Sequence, residues 1–458
     1  MDVMQSTKAS YSQKNNTHLD HIPGKFGIPY IGNLSRTLFD PYNFYREHHQ
    51  KYGDLSRATL FTRNGLVALS PDLAGEIAVD KAKNFSTHMG YQFSLEGLFD
   101  GALLLRDFDE HRFHRRIMQT AFKSDAMQGY TEIINEILPG FVQPWGDENQ
   151  FVTFPAIKNL TLYIASQIFI GVKLDSEIET LTHAFGDLLA ATTAILRLNI
   201  PGLSYHKGLK AKDLLDVFLK QLMPTKRQGN EKDMMTYFCQ ELDENGELFS
   251  DQVVIEHLRF LMLAAHDTVA SALINTFYLL AAHPEWQNKI REEATSLQTE
   301  FVGFDQLEQL ELLGYVFKEV LRMFPPANSF LRRSVKECEL GGYPVPANTV
   351  LTVPMIYMQR MPEWWDNPER FEPMRFSAPR EEHKRHPHTW MPFGGGAHKC
   401  IGMHFAQLLY KCVLFNVIQS YEFRLKDGYP MPEENANLVW APILKPKDGL
   451  PLILRPVK

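Results

Sequence analysis

The sequence predicts a mainly α-helical protein with small β-sheets (α+β), organised around one long central helix. Three observations carry this. Apolar residues recur at helical spacing across most of 109–290. One apolar helical run, 252–282, far exceeds an average helix. Strand-like patterns gather only near 55–69 and beyond Pro325. No internal repeat or linker divides the chain, so 21–458 reads as a single domain behind a polar, disordered lead-in at 1–20.

Taken in order, 22–32 spaces its prolines and glycines as an extended strap, and 41–52 reads as a helix. Two strands follow, 55–60 and 66–69, joined through Arg63-Asn64-Gly65 as a hairpin turn. The stretch 83–105 is aromatic without a clear period and reads as a loop covering something apolar. Helices then fill 109–290, with breaks expected near Pro139, Pro155, Pro201 and Gly229. Farther on, Leu340-Gly-Gly-Tyr is a turn between strands, 349–353 is β-rich, 362–379 meanders, and 450–454 closes the chain as a strand.

A net charge of −7 argues against nucleic acid as a partner. Four scattered cysteines do not make a disulfide framework, which points to a reducing compartment. The N-terminus lacks an apolar signal core or anchor helix, so a soluble, cytoplasmic monomer without a transmembrane anchor is expected.

The most informative stretch is Phe393-Gly-Gly-Gly-Ala-His-Lys-Cys400-Ile-Gly402, with a helix expected over 403–419. Glycines let the backbone approach a flat partner closely. A cysteine at a helix start feels the positive end of the dipole, which favours the thiolate, a soft metal ligand. Zinc, haem iron and iron–sulfur are the candidates. Zinc lacks a second paired Cys/His cluster, and iron–sulfur lacks companion cysteines. His383, His386 and His388 read as surface residues. No Gly-Lys-Ser/Thr follows the glycines, so this is not a phosphate loop.

The long helix carries Arg259, His266, Asp267 and Asn275, which favours a core helix over a membrane span. Leu261, Ala264, Ala265, Thr268 and Ala272 share one face, and four of these five are small. A bulky planar object could lie against it. Asp267 and Thr268 do not favour helix at mid-helix, and a polar pair satisfied within the core explains them equally well. Glu319 and Arg322 share a helix face; alone, they read best as a solvated surface pair. Arg375 sits among aromatics and prolines in Phe371-Glu-Pro-Met-Arg-Phe376. The basic groups His111, Arg115 and Arg116 suit either a charged face or a carboxylate-binding one.

In this order and spacing the motifs resemble those of cytochrome P-450, a haem-thiolate monooxygenase family, over 22–454. Phe393, Gly396, Cys400 and Gly402 match its cysteine signature. Glu319 and Arg322 match its ExxR pair, Arg375 the arginine completing a structural triad, Ala264 to Thr268 its oxygen-binding helix motif, and His111 with Arg115 an early haem-gripping helix. Two positions depart: Ala265 stands where glycine is usual, and Val269 where a second hydroxyl is usual. His398 replaces a common arginine.

The resemblance implies haem b with Cys400 as axial iron ligand and Arg115, Arg332, His398 and His111 at the haem carboxylates. It implies O2 as co-substrate, Thr268 and Asp267 supplying protons, and NAD(P)H electrons from a separate ferredoxin or flavodoxin with its reductase. Lys399 and Lys411 are candidates to dock that partner. The expected reaction puts one oxygen atom into a C–H bond of a hydrophobic terpenoid, steroid or fatty-acid-like molecule. Tyr91, Phe93, Phe99, Leu261, Ala327, Phe330 and Trp440 are its candidate pocket. A peroxide-driven oxygenase and a non-catalytic haem sensor or carrier are the alternatives, and both leave the Asp267–Thr268 pair without a task.

Overall fold

The structure, a computed structural model, describes residues 17–28, 32–60, 63–147, 151–174, 177–242 and 246–457. Residues 1–16 of the expected lead-in lie outside these. Residues 17–20 are ordered: Leu19 is buried and Asp20 pairs with Arg57, so the apolar side chain holds the strap's start in place.

The central helix runs Asp251–Ala282, 32 residues or about 48 Å. The Ser250 side chain caps it by accepting from Val253 N–H, and it stops before Pro284. It is long and apolar enough to cross a membrane, as is the helical stretch 396–420, but both are mostly buried within the protein. The polar side chains of the central helix find partners here. Ser271 donates to the Leu444 carbonyl, Thr276 bonds the Tyr410 hydroxyl at 2.8 Å, His257 lies 3.0 Å from His114, and Arg259 pairs with Asp216. Helices Thr153–Ile170, Ser204–Gln228, Glu311–Met323 and Met403–Ser420 pack around it.

A five-stranded sheet orders Leu55–Leu60, Arg63–Ala68, Val350–Val353, Phe330–Ser334 and Phe85–Ser86 side by side, and only the second and third are parallel. The first hairpin differs from expectation. Arg63, Asn64 and Gly65 are not the turn but lie in the ladder opposite Leu60, Thr59 and Ala58; residues 61–62 lie outside the described residues. Gly65 serves close strand packing instead: a Cβ there would sit 2.5 Å from the Val350 carbonyl oxygen. A second sheet joins Phe151–Val152, Pro451–Pro456 and Tyr421–Leu425.

One other expectation is corrected. Residues 87–95, expected as loop, form a helix capped by Ser86, and the Asp107 carboxylate accepts from Thr87 N–H at 2.8 Å. That cap comes from twenty residues downstream, which local periodicity does not register. The helix breaks expected near Pro139, Pro155, Pro201 and Gly229 are present. Pro139 lies in the last turns of Ser124–Val142, with Leu138 and Val142 buried. Pro155 is the third residue of Thr153–Ile170, where its missing N–H costs nothing.

The Glu319–Arg322 pair is no surface pair. Glu319, Arg322, Arg375 and a fourth member, Glu382, have no exposed side-chain surface. Glu319 accepts from Arg322 Nε at 2.7 Å and from Arg375 Nε at 3.0 Å, while Arg375 Nη1 donates to Glu382 at 2.7 Å. Gln359, just after the short helix Met355–Met358, links this network onward, its Nε2 donating to the Leu321 carbonyl of helix Glu311–Met323 and its Oε1 accepting from Met391 N–H at 3.0 Å. The network thereby fixes the approach to Phe393. Glu319→Ala leaves two buried guanidinium groups short of a carboxylate and should cost about 3–5 kcal/mol; a thermal midpoint lowered by several degrees checks it, and an unchanged midpoint contradicts it.

Candidate active site

Cys400 lies between a tight loop and the helix Met403–Ser420. Its N–H donates to the Phe393 carbonyl at 2.9 Å, closing the loop, and the Gly402 N–H donates to its sulfur. The glycines divide the work differently from expectation. Gly396 has φ +64° and a Cβ there would lie 1.8 Å from the Ala78 carbonyl oxygen, so it is needed for packing on helix Pro71–Val79. A Cβ at Gly402 would meet nothing within 4 Å, which fits backbone facing a bound group.

Cys400 is exposed only in the sense that it lines an internal cavity of about 310 Å³. Burial pushes its thiol pKa up, against the Gly402 N–H, Arg115 and Lys399, so burial outweighs the helix-start effect. A cation taking the proton's place reverses that balance.

The opposite wall is the central helix. Leu261, Ala264, Ala265, Thr268 and Ala272 all line the cavity, as their shared face predicted, and Val269 joins them. The Thr268 hydroxyl donates to the Ala264 carbonyl at 2.6 Å, leaving its lone pairs toward other donors. Asp267 is not in the lining. It is buried and faces Lys158 Nζ at 3.3 Å and the His266 ring at 3.5 Å, with Oδ2 lacking a hydrogen bond.

Cationic and imidazole groups gather elsewhere along the lining: Arg115, Arg332, His111 and His398. The two histidine rings stack with centroids 3.8 Å apart, and His398 Nε2 is 3.8 Å from Asp107. Burial, with neighbouring positive charge, pushes His398 down to about 2 and His111 to about 4, so both rings are neutral at pH 7. Among the described residues Arg115 has no ion-pair or hydrogen-bond partner, and Arg332 bonds only the Leu331 carbonyl, at 2.8 Å. Arg332 is buried. Guanidinium groups so placed call for carboxylates from a bound molecule.

Of the expected pocket residues, Tyr91, Leu261, Ala327 and Phe330 line the cavity. Phe93, Phe99 and Trp440 do not. Phe93 takes Arg63 and Arg197 on its ring, Phe99 is core behind Phe260, and Trp440 is core with its carbonyl accepting from Asn328. Lys411 is also corrected: it is buried and donates to the Leu307 carbonyl at 2.6 Å, unlike exposed Lys399. His383, His386 and His388 are half-buried, with His386 facing Asp72. Sequence reasoning missed Leu103, Leu104, Phe260 and Met355 in the lining. Of these only Phe260, one step from Leu261 on the central helix, was within reach of a helical-face argument.

The family model for cytochrome P450 matches residues 22–447. The chain belongs to the cytochrome P450 family. A putative cytochrome P450 136 of Mycobacterium tuberculosis is 35% identical over 443 residues, covering 96% of this chain and 89% of that protein. A taxane 13-alpha-hydroxylase of Taxus cuspidata is 24% identical over 474 residues, covering 99% and 95%. In fold the chain is similar to a retinoic-acid-bound cyanobacterial CYP120A1, with TM-score 0.87, 25% identity and coverage of 95% and 99%. As a cytochrome P450 the protein is a haem-iron monooxygenase, an oxidoreductase.

The residues present fit haem. A thiol lines one wall, a small-residue helix face the other, and the lining includes two arginines that form no ion pair with a carboxylate among the described residues. Since Arg115 leaves no protein partner unpaired when removed, Arg115→Ala should keep the thermal midpoint but speed haem loss to an excess acceptor at least about tenfold. Unchanged haem retention contradicts the assignment.

Proposed function

We propose that this P450 inserts one oxygen atom from O2 into a C–H bond of a hydrophobic small molecule, with NAD(P)H electrons from a separate ferredoxin or flavodoxin and its reductase. The observation carrying this reading is Thr268, whose hydroxyl lines the cavity on the wall opposite the Cys400 loop. Haem bound to the Cys400 thiolate supplies dioxygen activation and oxygen transfer.

The chain's own residues divide the remaining work. Cys400 is the ligand, and the Gly402 N–H moderates its donation. Arg115 and Arg332 neutralise the haem carboxylates, and His111 with His398 adds neutral hydrogen-bonding groups. Thr268 turns its hydroxyl off the Ala264 carbonyl, donates its proton into the cavity and takes another, ending unchanged. Asp267, one residue back, faces Lys158 and not the cavity; as a relay it takes up a proton, turns from the lysine, passes that proton to Thr268 and returns to the carboxylate. Ala265 and Val269 add apolar side chains to the cavity lining that Thr268 shares.

Apolar lining from Leu103, Leu104, Phe260 and Phe330 supports a bulky hydrocarbon substrate of terpenoid, steroid or fatty-acid type. The taxane and retinoic acid named for two relatives are of this kind. Exposed Lys399, next to the ligand, supports docking of an acidic electron donor.

Thr268→Ala should uncouple the cycle. With a surrogate ferredoxin system and a ligand chosen by its ferric spin-state shift, product per NAD(P)H should fall at least about tenfold while hydrogen peroxide rises. Wild-type coupling in that variant contradicts the role of Thr268.

A further inference from the structure

Two buried acceptors face each other beside Thr268 with no hydrogen between them. On the central helix the His266 ring is wholly buried, and its Nδ1 lies 2.6 Å from the Met262 carbonyl oxygen, one turn back. A carbonyl only accepts, so Nδ1 carries the proton and, in the neutral ring, Nε2 keeps a lone pair. Burial pushes the imidazole pKa down, against the Asp267 carboxylate and the Met262 carbonyl, so the ring is neutral at pH 7. That lone pair faces Asp267, with Nε2 3.5 Å from Oδ2. Among the described residues neither atom has a hydrogen-bond partner, although both are sealed from solvent. A buried acceptor without a donor is costly, and here two of them point at one another. One proton on Oδ2 turns the repulsion into an O–H···N hydrogen bond.

The other carboxylate oxygen feels the opposite pull. Oδ1 is 3.3 Å from Lys158 Nζ, on helix Thr153–Ile170, and an ammonium there favours the charged form. Lys445, on the strand Lys445–Pro446, stands in the same field. Its ammonium is 4.2 Å from the centre of the Phe154 ring, which Lys158 shares at 6.0 Å, and the Asp267 charge supports it. Helix Ile178–Thr192 brings an uncharged ring, Phe185, edge-on to His266 at 5.0 Å between centroids. The Lys158 side chain is 12% exposed and that of Asp267 5%, so the lysine forms the outer side of the group. The carboxylate therefore lies between a cationic rim and a buried nitrogen that lacks a proton.

We propose that His266 is a positioning residue for the relay assigned to Asp267 and Thr268, holding Asp267 in its protonated form by accepting a hydrogen bond at Nε2. The proposal rests on that relay. The carboxylate, paired with Lys158, takes up a proton at Oδ2. The new O–H donates to His266 Nε2, which draws the acid off the lysine. The proton then passes to Thr268, and the carboxylate returns to Lys158. His266 keeps its Nδ1 proton on the Met262 carbonyl throughout, so the ring never becomes charged. Lys158 stabilises the resting state of Asp267 and His266 the loaded one.

Infrared spectra of the ferric holoprotein across an acid titration test this, the Asp267 carboxylic-acid band being the one absent from Asp267→Asn. His266→Asn keeps a donor for the Met262 carbonyl but removes the Nε2 acceptor; His266→Phe removes both and fills the space. In each, the pH midpoint of the Asp267 band should fall by at least about one unit, and the band should move to the position of an acid without an acceptor. Lys158→Gln should raise the pH midpoint by about one unit. A purely structural His266 would change thermal stability and leave the titration of Asp267 where it was. Three results overturn the proposal: an unchanged band and pH midpoint in His266→Asn, a fall confined to His266→Phe, which would assign the effect to the Met262 hydrogen bond, or no Asp267 band in wild type at any pH at which it stays folded. Failure of the relay itself looks different: Thr268→Ala then couples like wild type while the His266 variants still move the Asp267 band.

Discussion

The structure depends on keeping charge in a place with no water. Glu319, Arg322, Arg375 and Glu382 are wholly buried, and each carboxylate meets at least one guanidinium at 2.7 Å. Removing charges from water is costly, and it is tolerated only where pairing is this complete. What the arrangement secures is placement. It ties the helix Glu311–Met323 to the meander at 366–382, and through Gln359 it holds Met391, two residues before the cysteine loop begins. A loop rich in glycine has little preference of its own, so its geometry is imposed from outside.

The same logic, inverted, describes the cavity. There, among the described residues, Arg115 and Arg332 have no carboxylate within ion-pair distance, and burial raises the pKa of the Cys400 thiol. Around the triad every charge is answered from within the chain; around the cavity the answer has to come from a bound group carrying carboxylates and a metal. Haem meets both requirements, and the apolar face of Ala264, Ala265 and Ala272 allows a flat ring to approach the helix.

How much of this was legible in the sequence follows from how far apart the interacting residues lie. The central helix, expected at 252–282, runs Asp251–Ala282, because its cap and its terminating proline are local. Its cavity face was equally plain from spacing. The depth of Glu319 was not, since an i, i+3 pair looks the same at a surface as in a core, and its other partner is 56 residues away. Glu382 is only seven residues from its partner Arg375, but the stretch between them is irregular, so no periodicity pairs the two. Lys411 was misread because a lysine stem can be buried when its ammonium finds a carbonyl, here that of Leu307. Asp267 was paired in thought with Thr268, yet adjacent helical residues point about 100° apart, and the carboxylate turned to Lys158 while the hydroxyl turned to the cavity. Family resemblance supplied what local pattern could not: it read Glu319, Arg322 and Arg375 as one unit.

The central claim, that Cys400 binds haem iron as a thiolate in this cavity, is tested most directly by the absorption spectrum of the reduced protein under carbon monoxide. The account predicts the long-wavelength band of a thiolate-ligated haem, lost when Cys400 is replaced by histidine while the protein stays folded. A folded wild-type protein that takes up no haem, or one that keeps the same band in Cys400→His, would contradict it.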